Sequence, residues 1–183
     1  STHFKIADAK RGDIGNTSSQ YAKAFFEVLS FDAVTVAPYM GADSVQPLLE
    51  YSNKWTIVLG LTSNKGAADF ELQEAGGEKL YEKVLRTVSA WGDPGNLMFV
   101  VGATQAEEFV NVRRLLPEHF FLVPGVGFQG GSLKEISEKA MNKDCAILEN
   151  VSRAIIFAGE GENVAEEAKA IAAQNHEEMW VYL

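Results

Sequence analysis

The densest chemistry in the chain is a ten-residue run near its start, Asp8-Ala9-Lys10-Arg11-Gly12-Asp13-Ile14-Gly15-Asn16-Thr17. Side chains alternate along a strand, so Asp8 and Lys10 project to one side at the C-terminal end of a first strand. Ligands of α/β folds bind at that end of the strands. A charged pair on the inward face is costly unless it is paired or functional. Gly12 and Gly15 then let the chain turn sharply and carry Asp13 and Thr17 away from the strand axis. The plainer alternative is a surface ion pair between Asp8 and Lys10, with Asn16 or Thr17 capping a helix.

A second run, Pro124-Gly125-Val126-Gly127-Phe128-Gln129-Gly130-Gly131, follows an apolar strand and precedes a capped helix. Such a loop can aim backbone N–H groups at phosphate oxygens, or be an ordinary strand-to-helix turn. A third, Asn150-Val151-Ser152-Arg153, follows the last strand, and the planar fork of an arginine there suits a phosphate. Thr62-Ser63-Asn64-Lys65-Gly66 offers hydroxyl and amide groups at the same rim, or a turn with a helix cap. His119 reads as structural or solvent-facing, Trp55 and Trp91 as packing, and the acidic 160–167 stretch as a solvated helix start.

Positioning these groups takes a regular alternation of short apolar runs with helix-period segments. Strands are expected at 4–7, 33–37, 56–61, 97–101, 120–123 and 146–148. The helix from about Thr17 to Leu29 should bury Tyr21, Ala24, Phe25, Val28 and Leu29. A short helix is expected near 42–51, and a later one carries Leu80, Val84, Leu85 and Val88. Thr104-Gln105-Ala106-Glu107 and Ser132-Leu133-Lys134-Glu135 have the capping-box pattern. A last helix turns Val164, Ala168, Ile171 and Ala172 to one side.

With 183 residues, 46% hydrophobic and 22% charged, the chain reads as one globular domain over 1–183. Sixteen basic against 25 acidic residues leave a net charge of −9. That balance argues against nucleic acid as a partner, which calls for a basic face, while leaving room for a local phosphate pocket. No membrane span or signal segment is visible in the sequence. One cysteine, Cys145, excludes an internal disulfide and suits a reducing, cytoplasmic setting, and three scattered histidines do not suggest a zinc site.

Six β-α units imply a parallel sheet with helices packed outside it, either an open doubly wound sheet or a (β/α)₈ barrel. A barrel typically takes about 250 residues, so this chain would supply six of eight units, strands 3 to 8. Since it opens on Ser1 without an initiator Met, the other two are expected upstream. In that register the glycine loop follows strand 7 and Arg153 follows strand 8. Barrels often bind phosphate in those two loops, and this coincidence favours the barrel.

The 8–17 run closely resembles the Asp-x-Lys-x-x-Asp signature of the orotidine 5′-phosphate decarboxylase family, in its bacterial Asp-Ala-Lys-Arg-Gly-Asp form. The 124–131 loop resembles the family's phosphate loop, Arg153 falls at its phosphate-binding arginine, and the chain as a whole resembles the C-terminal two-thirds of a member. The resemblance implies decarboxylation of orotidine 5′-monophosphate to uridine 5′-monophosphate without metal or organic cofactor, the last step of pyrimidine nucleotide synthesis. It makes Lys10 the group that stabilises the C6 carbanion and delivers the proton. Asp8 holds Lys10 and crowds the departing carboxylate. Asp13 and Thr17 reach into the neighbouring subunit of a homodimer, and Ser63 contacts the pyrimidine. Pro124, Gln129, Gly130 and Arg153 take the phosphate. The family's first-strand Asp and second-strand Lys have no counterpart in this sequence, which puts independent activity in question. Two other readings remain: a related Mg²⁺-dependent sugar-phosphate barrel such as a keto-gulonate-phosphate decarboxylase, and an inactive phosphate-binding fragment.

Overall fold

In the computed structural model, which describes residues 3–127 and 130–183, six strands form one sheet in sequence order, every neighbouring pair parallel. They are β1 Ile6–Arg11, β2 Ala33–Val36, β3 Trp55–Leu61, β4 Leu97–Val101, β5 Phe120–Pro124 and β6 Ile147–Asn150. The α-helices are α1 Gly15–Lys23, α2 Ala42–Leu49, α3 Leu80–Ser89, α4 Phe109–Leu115, α5 Leu133–Ala140, α6 Arg153–Ile156 and α7 Val164–Trp180. The sheet curls as a half-barrel and supplies six of the eight β-α units of a (β/α)₈ barrel. Its curl is directly visible: Asp8 of the first strand shares a cleft with Asn150 at the end of the sixth.

Two apolar layers hold the half-barrel together. On the face away from the helices, Ala33, Ile57, Met98, Val100 and Leu122 pack with Ile6, Trp55, Leu59, Phe120 and Leu148. The other face of the same strands meets the helices through Val34, Val58, Phe99, Phe121, Leu85 and Ile136. Both β2 and β4 are buried at every position. Strands covered on both faces read as unbroken apolar runs, which is why they were legible without alternation. At the opposite end of the sheet from the site, Arg113 is an internal clamp. Its guanidinium donates to the carbonyls of Ala140, Leu116, His119 and Ala146 and lies 4.0 Å from the Phe121 ring centroid. Burial among carbonyls lowers its pKa to about 10.

The sequence expectation needs three corrections. The first strand runs to Arg11 rather than ending at Ala7. The first helix begins at Gly15, has no side-chain cap, and passes into a π-helical turn at Ala24–Val28. Ser18, Ala22 and Phe26 are buried and Phe25 packs partly buried against the core, while Val28, closing the wider turn, and Leu29 after it are exposed. The capping box expected at Thr104–Glu107 does not form: Ala103–Glu108 is 3₁₀-helical, and α4 starts only at Phe109. The hydroxyl of Thr104 instead donates to the Ser63 carbonyl at 2.9 Å, and Glu107 pairs with Lys139 at 2.7 Å. At α5 the expected cap is present, Ser132 Oγ accepting from the Glu135 N–H at 3.3 Å.

Candidate functional site

Asp8 and Lys10 meet as expected, Lys10 Nζ lying 2.5 Å from Asp8 Oδ1, but strand alternation is not what brings them together. In the β1–β2 ladder Ala7 stands opposite Val34 and Arg11 opposite Val36. Asp8, Ala9 and Lys10 are therefore all fitted against one residue, Thr35. Lys10 takes up the slack with a left-handed φ of 47°, a conformation that disfavours side chains with a Cβ. The fully buried Thr35 hydroxyl accepts from the Lys10 N–H at 2.9 Å and lies 3.0 Å from Asp8 Oδ1 as donor. A threonine inside the buried run Ala33-Val34-Thr35-Val36 is the one signal that could have revealed this contact, since buried hydroxyls need partners.

Asp8 lines an open cleft of about 180 Å³ with Pro124, Gly125, Val126, Asn150, Ser152 and Arg153. That volume suits a phosphoryl-sized group and falls short of the roughly 300 Å³ at which pockets for whole drug-sized ligands begin. Arg153 opens α6 and is exposed. Ser152 Oγ donates to Asn150 Oδ1 at 2.9 Å, bracing the turn that presents it. Thus Asp8, Pro124 and Arg153, distant in sequence, border one cleft.

The glycine loop is built differently from a set of free donors. Gly127 N–H donates to the Gly131 carbonyl at 3.0 Å, Gly130 N–H to Gly127 at 2.8 Å, and Gly131 N–H to Gly125 at 3.3 Å. These three donors are committed to closing the loop on itself. Gly131 is required for packing, because a Cβ there would come within 2.4 Å of the Ala103 Cβ. Gln129 lies outside the described residues.

Ser63 borders a second cleft of about 340 Å³ with Asn64, Lys65, Leu72, Thr104 and Gln105. Its loop is held by the segment that follows β4: a Cβ on Gly102 would stand 2.5 Å from the Ser63 nitrogen, and Gln105 Nε2 donates to the Thr62 carbonyl at 3.3 Å. Glu71 accepts from the Thr62 N–H at 2.6 Å. Gly102 and Glu71 were not anticipated, because nothing local in sequence ties them to Ser63. Asn64 does not cap the following 3₁₀ turn. Asp13 is half-buried and accepts from the Ile14 N–H at 2.8 Å, while Thr17 is exposed on α1. Neither borders the Asp8 cleft.

Two titrating groups near the strand ends carry unusual environments. Glu149, beside Asn150, turns toward α7, and its Oε1 is buried without a hydrogen-bond partner among the described residues. Burial, and secondarily the Glu178 carboxylate, raises its pKa to about 7. His119 is buried edge-on to Phe99 at 5.5 Å, and burial with the neighbouring Arg113 charge lowers its pKa. Among the described residues no group of three or more His, Cys, Asp or Glu side chains is placed to hold a metal, and no helix is long and apolar enough to cross a membrane.

The family model described as orotidine 5′-phosphate decarboxylase / HUMPS family matches residues 1–168. The orotidine 5′-phosphate decarboxylase of Flavobacterium johnsoniae is 56% identical over 176 residues, covering 96% of this chain and 64% of that protein. Its counterpart in Phocaeicola vulgatus is 56% identical over 176 residues, covering 93% of this chain and 65% of that protein. The chain thus spans just under two thirds of the length of these relatives. Among solved structures, Leishmania donovani OMP decarboxylase superposes with a TM-score of 0.81 at 36% identity, covering 96% of this chain and 68% of that one. With the family model spanning nearly the whole chain and the half-barrel superposing on a solved relative, this chain belongs to the orotidine 5′-phosphate decarboxylase / HUMPS family.

Proposed function

We propose that this chain carries the reacting and phosphate ends of a site that converts orotidine 5′-monophosphate to uridine 5′-monophosphate and CO₂, in the last step of pyrimidine nucleotide synthesis. The observation that supports this most is the joining of Asp8, with its ion-paired Lys10, to the Pro124 and Arg153 loops around one phosphate-sized cleft. Loss of CO₂ from C6 leaves an electron pair in an sp² orbital that the ring π system cannot delocalise. A fixed cation beside C6 is then the direct way to lower the barrier. The Lys10 ammonium stabilises that pair and transfers a proton to C6, and water reprotonates the amine. The C6–carboxylate bond breaks, its electrons stay on C6, and a C6–H bond replaces it.

In this reading Asp8 orients Lys10 and crowds the substrate carboxylate, raising the ground state relative to a transition state in which that charge is leaving. Arg153 and Gln129 hold the phosphate, with Pro124 and Gly130 in the loop beside it. Binding energy gained there is available to order the reacting end. With the Gly127, Gly130 and Gly131 N–H groups closing their own loop, the guanidinium of Arg153 provides the charge for the phosphate. Ser63, in the neighbouring cleft, contacts the pyrimidine. Asp13 and Thr17 stand off the cleft and serve the site of a second copy in a cytoplasmic homodimer.

The test is turnover of orotidine monophosphate by the gene product at its natural length, followed by loss of orotate absorbance in the presence of EDTA. Conversion under those conditions supports the reading. A folded protein that ignores this substrate but acts on sugar phosphates when Mg²⁺ is added would replace it with the sugar-phosphate branch. Binding without turnover of either substrate would leave a phosphate-binding chain.

A further inference from the structure

We propose that Thr35 is a positioning residue for the Asp8–Lys10 pair, acting as a side-chain splint for the bulge that carries both. The inference rests on the catalytic reading of Lys10 above and adds a residue from a different strand. Three observations meet at Thr35. It is the single residue of β2 facing Asp8, Ala9 and Lys10, because the ladder passes from Ala7–Val34 directly to Arg11–Val36. It is fully buried within a strand whose every other residue is aliphatic. Its hydroxyl joins the two members of the pair, accepting from the Lys10 N–H at 2.9 Å and donating toward Asp8 Oδ1 at 3.0 Å.

The hydroxyl has one proton and two candidate acceptors, Asp8 Oδ1 at 3.0 Å and the Ala7 carbonyl at 3.4 Å. The shorter contact is to a carboxylate, and hydrogen bonds to charged groups are the stronger ones. Thr35 therefore holds one Asp8 oxygen that also receives Lys10 Nζ, so position is passed from the buried sheet through Asp8 to the ammonium. The second bond stabilises a backbone that Lys10 would otherwise leave. At φ 47° Lys10 cannot pair its N–H with the β2 backbone in ladder register, and the Thr35 oxygen takes the place of that partner. Valine would fill the same space and satisfy neither group.

The experiment compares the gene product at its natural length with its Thr35→Val and Thr35→Ser variants by two readouts. The first needs no substrate: exchange of the Lys10 backbone amide with deuterated water, followed by NMR. Thr35→Val should speed it by about fivefold, the loss of one net hydrogen bond, while Thr35→Ser, which keeps the oxygen, should stay close to wild type. The second is orotidine monophosphate turnover. Thr35→Val should lower kcat by about a hundredfold, as misplacement of a reacting group by about 1 Å does, with KM little changed, and Thr35→Ser should restore it. If the valine chain does not fold, Thr35→Ala removes the same hydroxyl without filling space and carries both readouts. Unchanged Lys10 exchange in the hydroxyl-free variant overturns the splint, as does a fall in turnover that serine fails to rescue. Faster exchange in a gene product of natural length whose wild type lacks turnover upholds the splint and sinks the decarboxylase reading instead.

Discussion

Replacing Glu149 by Gln should stabilise the protein at pH 8 and have little effect at pH 5. Glu149 Oε1 is buried without a hydrogen-bond partner among the described residues, and burial together with Glu178 on α7 lifts the folded-state pKa from 4.5 to about 7. In the unfolded chain the same carboxyl titrates near its ordinary value. Between those two pH values the folded state holds the proton more tightly, so this group's contribution to stability grows as pH falls from about 7 to 4.5. Above pH 7 the folded protein bears a charge that its surroundings disfavour. A shift of about 2.5 pH units corresponds to about 3.4 kcal/mol. Because the carboxyl is only half-buried, solvent screening reduces this to about 1–2 kcal/mol. Glu149→Gln removes the ionisation and keeps the shape, so its melting temperature at pH 8 should rise by about 3–6 °C. Urea unfolding of both chains at pH 8 and pH 5 gives the difference directly. It also cancels His119, whose lowered pKa destabilises both chains alike as pH falls below about 6.5. A stabilisation equal at the two pH values would show that packing, not the buried charge, is responsible.

Further outcomes follow from the site. Lys10→Ala should abolish orotidine monophosphate turnover while leaving phosphate-ligand binding, measured by calorimetry, within about threefold, because Arg153, on a separate loop, is untouched. Turnover near the wild-type rate would remove Lys10 from the reacting centre. Arg153→Ala should raise KM by about tenfold to a hundredfold, the loss of a charge-assisted contact of about 1.5–3 kcal/mol; a normal KM would place the phosphate elsewhere. Gly131→Ala puts a methyl 2.4 Å from the Ala103 Cβ and 2.9 Å from the Gly125 carbonyl. It should destabilise by about 1–3 kcal/mol in urea unfolding, as overpacking does.

Much of this protein is determined by local sequence. The six strands are short apolar runs, and wherever both faces are covered, as in β2 and β4, no partner needs to be known to recognise them. The Asp8–Thr17 run stands out because charge, glycine and strand end fall within ten residues of one another, and the Pro124–Gly131 run because four glycines follow a strand end. Ser132 caps α5 as its spacing predicts, since a cap is completed within one turn of chain. What failed was also local in form but settled by distant packing. Thr104 gives up its capping box to hold Ser63, and of the periodic positions Tyr21, Ala24, Phe25, Val28 and Leu29 the last two, at and after the end of the π turn at Ala24–Val28, face solvent. The meeting of Asp8 with Arg153, the bulge that Thr35 supports, and the Gly102 and Gly131 contacts arise only when a curled sheet brings separate strands together. Hydrogen bonds and steric limits between residues 25 or more apart leave no periodic trace in the chain, so tertiary structure alone decided how the site is held.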